Sequence, residues 1–355
     1  GDFIQKRRSS NNGGIQNFYA SGTHKVVLSG DGLQTINLEN PGSSRFNILE
    51  IKNNEGQSVD FGSPFSANMF ITNELELSTV KMIDVNWELT SNQKINGDMY
   101  IEDEKTSINL NGYSIVIEGE LRQQEGELNT NNGYLEVRGN LIQSGGTVEI
   151  NGGQLIVEGD YRLQSENIAS DGTVTYEGSL SYLRMINEED YVLVNGDFAM
   201  QSQYNHVNWL TAGKLEVKGD FIQKRRSSNN GGIQNFYASG THKVVLSGDG
   251  LQTINLENPG SSRFNILEIK NNEGQSVDFK NILAANMLMT NGMEIPAITI
   301  NPINWELTAN QVVNGDVYVD KNGIDLNGYS LEIKGNLIQS GGTVEINGGE
   351  LIVEG

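Results

Sequence analysis

GNLIQSGGTVEINGGQLIVEG, residues 139–159, is the stretch that decides the fold. Within it Leu141-Ile142-Gln143, Thr147-Val148-Glu149-Ile150 and Gln154-Leu155-Ile156-Val157-Glu158 place apolar or β-branched residues at alternate positions. That is the period-2 pattern of a half-buried strand. Between them Ser144-Gly145-Gly146, Asn151-Gly152-Gly153 and Gly159-Asp160 supply positive φ and side-chain-to-backbone hydrogen bonds, the chemistry of tight turns. Three short strands and three corners in about 20 residues make one rung of a parallel β-solenoid. No window of helical length is amphipathic, and a leucine-rich repeat would need a helical or Asn-ladder segment that is absent. The expected fold class is therefore all-β, a β-helix of three-strand rungs.

Working outward, a phrase ending in Gly followed by Asp, Asn or Glu recurs at Gly97, Gly119, Gly139, Gly159, Gly196, Gly219, Gly315, Gly335 and Gly355. A longer repeat encloses it. Residues 1–61 recur unchanged as residues 219–279, and Asn86-Trp87-Glu88-Leu89-Thr90 returns as Asn304-Trp305-Glu306-Leu307-Thr308. This divides the chain into a first long repeat, 1–218, and a partial second one, 219–355, of the same solenoid. The second copy lacks the block Glu120 to Gly139, after which residues 335–355 repeat 139–159 with Glu350 in place of Gln154. One whole rung is dropped while its neighbours continue, which stacked one-dimensional architectures tolerate and globular cores do not.

Alternation turns Leu141, Val148, Ile150, Leu155 and Val157 inward, above Leu121, Leu128, Leu135 and Val137 of the rung before. It turns Ile142, Ile156, Ile222 and Ile338 outward. At the usual strand separation of roughly 4.8 Å, about 17 or 18 rungs would form a rod some 80 Å long. Both ends of the sequence fall in mid-rung without capping segments, so the expectation is a window on a longer array or a unit docking end to end.

Composition narrows the function. The 355 residues contain 42 Gly, 5 Pro, no Cys and 3 His. The absence of cysteine removes disulfides and thiol chemistry, and the scarcity of histidine removes most histidine catalysis. A net charge of −21 from 45 acids and 24 bases opposes binding to nucleic acid or anionic lipid. No apolar run is long enough for a membrane-spanning helix, so membrane insertion is not expected. Pectinolytic β-helices use clustered Asp residues and Arg or Lys on a widened face; no such phrase occurs, and no enzyme is expected.

Three features remain as candidates. Lys6-Arg7-Arg8, repeated as Lys224-Arg225-Arg226, is the sole basic cluster and a candidate lateral contact on an acidic surface. Trp209 and Tyr204 are candidate glycan contacts, since exposed aromatic rings stack on sugars, although Trp87, Trp209 and Trp305 alike read more readily as filling a wide rung or corner of the core. Asp residues after the rung glycine (Asp2, Asp98, Asp160, Asp197, Asp220, Asp316) read as turn caps, and Glu188-Glu189-Asp190 as solvated turn acids. Weak or diffuse calcium binding is the only cofactor expectation.

The phrases GTHKVVLSG (22–30), NPGSSRFN (40–47) and YVLVNGDF (191–198) resemble repeats of very large secreted or surface proteins of Gram-positive bacteria, with an architecture similar to filamentous haemagglutinin. The resemblance implies an extracellular or cell-surface location and a structural fibre or stalk. The implied partners are neighbouring solenoid segments, copies of the chain, or a cell-wall or surface glycan. It assigns no functional residues. The alternative it leaves open is an adhesin binding glycan or a host surface through a lateral face.

Overall fold

The computed structural model describes residues 1–6, 18–52, 59–73, 76–225, 233–270, 277–290, 292, 294–300 and 303–355. Every regular element among them is a β-strand. Parallel sheets stack as a β-solenoid of about 14 turns, with rungs about 21 residues apart. Counting every rung at 20 residues gave 17 or 18; loops lengthen several rungs. Phe3 pairs with Ile36, and Lys214 with Lys243, so one turn there takes about 30 residues.

The chain forms two compact units, Gly1–Gly159 with Ser165–Arg184, and Asp160–Gln164 with Met185–Gly355. In the first unit three faces are clear. Gln93–Ile95, Ser114–Ile117, Tyr134–Val137 and Gln154–Val157 stack on one. Met99–Ile101, Leu121–Gln123 and Leu141–Gln143 form the second. Ser107–Asn109, Glu127–Asn129, Gly145–Glu149 and Leu180–Arg184 form the third. Val80–Glu88 serves two faces at once, its start pairing with Met99–Ile101 and its end with Ser107–Asn109. Asp84, at φ 53°, marks the corner between them.

Corners follow the turn chemistry of the sequence. Asn111, Asn131 and Asn151 hold φ of 49°, 41° and 44°, a left-handed conformation that Asn tolerates better than most residues. The rung glycines answer to a different constraint. Gly119 N–H donates to Gly97 O at 3.1 Å and Gly139 N–H to Gly119 O at 2.9 Å. A Cβ on Gly139 would sit 2.7 Å from Gly119 O, so the column closes only without side chains.

The core is a stack of aliphatics. Leu121, Leu128, Leu135, Val137, Leu141, Val148, Ile150, Leu155 and Val157 are all fully buried, as alternation predicts. Amide side chains line one inner corner: Gln123 Nε2 donates to Gly126 O and Thr147 O, and Gln143 Nε2 to Gly146 O and Tyr182 O. Two outward assignments are corrected. Ile142 is 3% exposed and Ile156 9%, whereas Ile338 is 43% exposed. Beside Ile142 in register stands Arg122, which bonds Glu166 of the Ser165–Arg184 excursion. That excursion therefore lies over the face on which Ile142 stands.

The second unit repeats the plan. Lys214–Val217, Lys243–Leu246, Phe264–Ile269, Ala285–Thr290, Ile303–Leu307 and Asn322–Asp325 pair in parallel in that order. Its aromatic trio Phe221–Phe236–Phe264 has ring centroids 4.8–5.5 Å apart. The identical residues Phe3–Phe18–Phe46 make the same cluster at 4.8–5.2 Å in the first unit.

Candidate functional site

The basic cluster is anchored through its backbone. Lys224 N–H donates to Met200 O at 2.8 Å, and Lys224 O accepts from Gln223 Nε2 and Asn235 Nδ2. Arg225 N–H donates to Glu257 at 2.9 Å. Its side chain is exposed, Lys224 is half-buried, and Lys6 is exposed in the first unit. Arg7, Arg8 and Arg226 lie outside the described residues.

Trp209 and Tyr204 belong to the irregular corner between Phe198–Met200 and Lys214–Val217. Both are half-buried, whereas Trp87 and Trp305 are fully buried in the core. Trp305 Nε1 donates to Thr290 Oγ1 at 3.2 Å. The corner is organised by His206, which the sequence reading passed over. His206 N–H donates to Gln234 O at 2.8 Å, its O accepts from Trp209 N–H at 3.0 Å, and its Nδ1 lies 3.3 Å from Tyr204 O. Complete burial lowers its pKa from the ordinary 6.5 to about 3, so the ring is neutral. Asn205 Oδ1 accepts from Gln234 N–H, and Asn208 takes a φ of 69°. The signal for this cluster is weak in sequence, because Gln234 lies in the next rung.

The Asp column caps turns, but across rungs rather than within its own. Asp98 Oδ1 accepts from Glu120 N–H, Asp160 from Asp197, Asp197 from Asp220 and Asp220 from Thr253, at 2.7–2.9 Å. Stacking brings the next rung's amide nearer than the downstream one. Burial raises the Asp197 pKa, helped by the charges of Asp160 and Asp220. Asp190 is a further correction: it is 1% exposed and its Oδ2 accepts from Ile186 N–H and Asn187 N–H. It locks the 186–190 turn, while Glu188 and Glu189 remain exposed.

A groove of about 560 Å³ runs over the outer face of the second unit, where Glu306, Asp325 and Glu345 stand in register. Among the described residues no group of three His, Asp or Glu is placed to hold a metal ion. Among the described residues no helix is long and apolar enough to cross a membrane. No protein-family model, curated protein or solved structure matches the chain.

Proposed function

We propose that this chain is a repeat segment of a structural extracellular fibre or stalk, of the kind found in large surface proteins of Gram-positive bacteria. The observation that carries this reading is the interchangeability of rungs. In the first unit Leu141–Gln143 stacks on Leu121–Gln123, which stacks on Met99–Ile101. In the second unit, which lacks the middle block, Leu337–Gln339 stacks directly on Val317–Val319. A chain that gains or loses rungs without disturbing its neighbours varies in length, which is what a spacer requires. Its task is mechanical: inter-rung hydrogen-bond ladders and aliphatic columns resist deformation, and the net charge of −21 keeps the surface soluble. Partners under this reading are copies of itself or neighbouring segments, with Lys6-Arg7-Arg8 and Lys224-Arg225-Arg226 as the proposed lateral contacts, and any calcium binding is weak or diffuse.

The test is electron microscopy and fibre diffraction of the native assembly containing this chain. Filaments with an axial repeat near 4.8 Å support the reading; compact particles without that repeat overturn it. A second reading, an adhesin binding surface glycan, is favoured by the half-exposure of Trp209 where the other two tryptophans are buried. It requires binding on glycan arrays that Trp209→Ala abolishes.

A further inference from the structure

The corner between the third and first faces of the first unit carries a trough of about 210 Å³ running from Asn92 to Gln154. We propose that this trough binds a neutral oligosaccharide. The inference goes beyond the mechanical reading and does not use the Trp209 corner.

Its floor is bare backbone. A Cβ on Gly133 would come within 2.4 Å of Tyr113 O, and one on Gly153 within 2.6 Å of Gly133 O. Glycine is therefore required at both positions for the stacked rungs to close against one another. Two aromatic rings border it. Tyr113 is 37% exposed. Tyr134 stands in register between Ser114 and Gln154, and its hydroxyl donates to Glu136 at 2.9 Å, which fixes the direction of the ring.

The remaining side chains are amides and a hydroxyl. Asn92 Oδ1 accepts from Ser114 N–H at 3.0 Å, which orients that amide at one end. Asn132 Nδ2 reaches Asn131 Oδ1 at 3.4 Å, and Gln154 borders the other end.

No lining residue is charged, in a chain with 45 acids and 24 bases. That decides the ligand class. An ion would find no counter-charge, whereas a polyhydroxylated ring meets aromatic faces for its C–H surface and amides for its hydroxyls. The volume lies below the roughly 300–1,000 Å³ of drug or cofactor pockets, so it suits one or two sugar rings of a longer chain. Rungs repeat every ~4.8 Å, close to the advance per residue of an extended pyranose chain, so successive rings meet successive rungs.

The second unit supplies an internal comparison. Asn310, Tyr329 and Ser330 keep one end of the trough, but the rung carrying Tyr134 is missing and Glu350 replaces Gln154. The second copy should bind far more weakly.

The experiment titrates the full chain with cellohexaose and chitohexaose, using calorimetry and side-chain amide NMR signals. We expect saturable binding of at least one probe in the millimolar to sub-millimolar range, shifting the Asn132 and Gln154 amide signals. Tyr113→Ala and Tyr134→Ala should each weaken it about tenfold, the loss of one ring contact. Gln154→Glu, which copies the residue the second unit already tolerates, should weaken it severalfold with an unchanged circular dichroism spectrum. Tyr329→Ala and Trp209→Ala should change it less than twofold. Absence of saturable binding by both probes overturns the proposal, as does binding untouched by Tyr113→Ala, Tyr134→Ala and Gln154→Glu. Loss of binding in Trp209→Ala alone would overturn it in favour of the Trp209 corner.

Discussion

Lowering the pH from 7 to 5 should destabilise the second unit, and replacing His242 should remove about half of the effect. His242 is fully buried, its ring 6.2 Å from that of Phe236, and neither ring nitrogen has a hydrogen-bond partner. Burial lowers its pKa from 6.5 to about 3. In the unfolded chain the ring takes up a proton near pH 6.5, so below that pH the unfolded state binds more protons and stability falls. The stabilisation is intact above about pH 7 and is lost progressively towards pH 3. At pH 5 the linkage amounts to about 2 kcal/mol for His242 and a similar amount for His206, at about 1.4 kcal/mol per pH unit. This window lies above the ordinary carboxylate range of about 4, and Asp197, whose pKa burial raises, acts in the opposite sense on acidification, so the loss is carried by the two histidines. The assay is urea unfolding at pH 7.5 and pH 5.0 for the parent chain, His242→Leu and His24→Leu. His24 occupies the identical position in the first copy but is exposed, so its replacement is the control. His242→Leu should be neutral or stabilising at pH 7.5, since it removes two unpaired buried nitrogens. It should also reduce the acid-induced loss by about 2 kcal/mol. Equal behaviour of the two variants, or an NMR titration of His242 near pH 6.5, would refute the reasoning.

Other outcomes follow from the packing. Deleting Glu120–Gly139 should leave a folded chain with unchanged circular dichroism per residue, because Leu141 then meets Met99 as Leu337 meets Val317; loss of cooperative melting would contradict the modular rung. Gly139→Ala should destabilise by roughly 1–3 kcal/mol in denaturant melts through overpacking of the glycine column. Gly42→Ala, where a Cβ meets nothing within 4 Å, should be near neutral. Trp305→Ala should cost about 3–5 kcal/mol by opening a core cavity, whereas Trp209→Ala, at a half-exposed ring, should cost distinctly less in the same assay.

Much of the core was readable because alternation is a local property. In a parallel strand every second residue faces in, so Leu141, Val148 and Leu155 could be assigned from spacing alone, and they are buried. The corners were readable for the same reason: Asn-Gly and Gly-Asp mark chain reversals wherever they fall. The candidate sites were less legible. Trp87, Trp209 and Trp305 share similar flanking residues, yet only the wide 201–213 corner leaves one ring half-exposed. The Asp column looked like self-capping turns and instead bonds the adjacent rung. The trough at Tyr113 and Tyr134 gave no motif, because its walls come from four rungs.

Sequence by itself determined that this chain is a parallel β-solenoid, since the strand period, the turn residues and the droppable rung are all written in residues close along the chain. What it could not determine is environment. His24 and His242 lie in identical stretches of 61 residues, and one is exposed while the other is sealed in the core. Around His242 the amides of Thr241 and Lys243 bond Thr211 and Gly213 of the rung before, while the rung that follows pairs alike in both copies, Lys25–Leu28 with Phe46–Ile51 and Lys243–Leu246 with Phe264–Ile269. Ile142 likewise faces outward by its period and is buried by an excursion that begins some 20 residues later. Burial is set by whatever stacks on a residue from a distant part of the chain, and only the tertiary structure decides that.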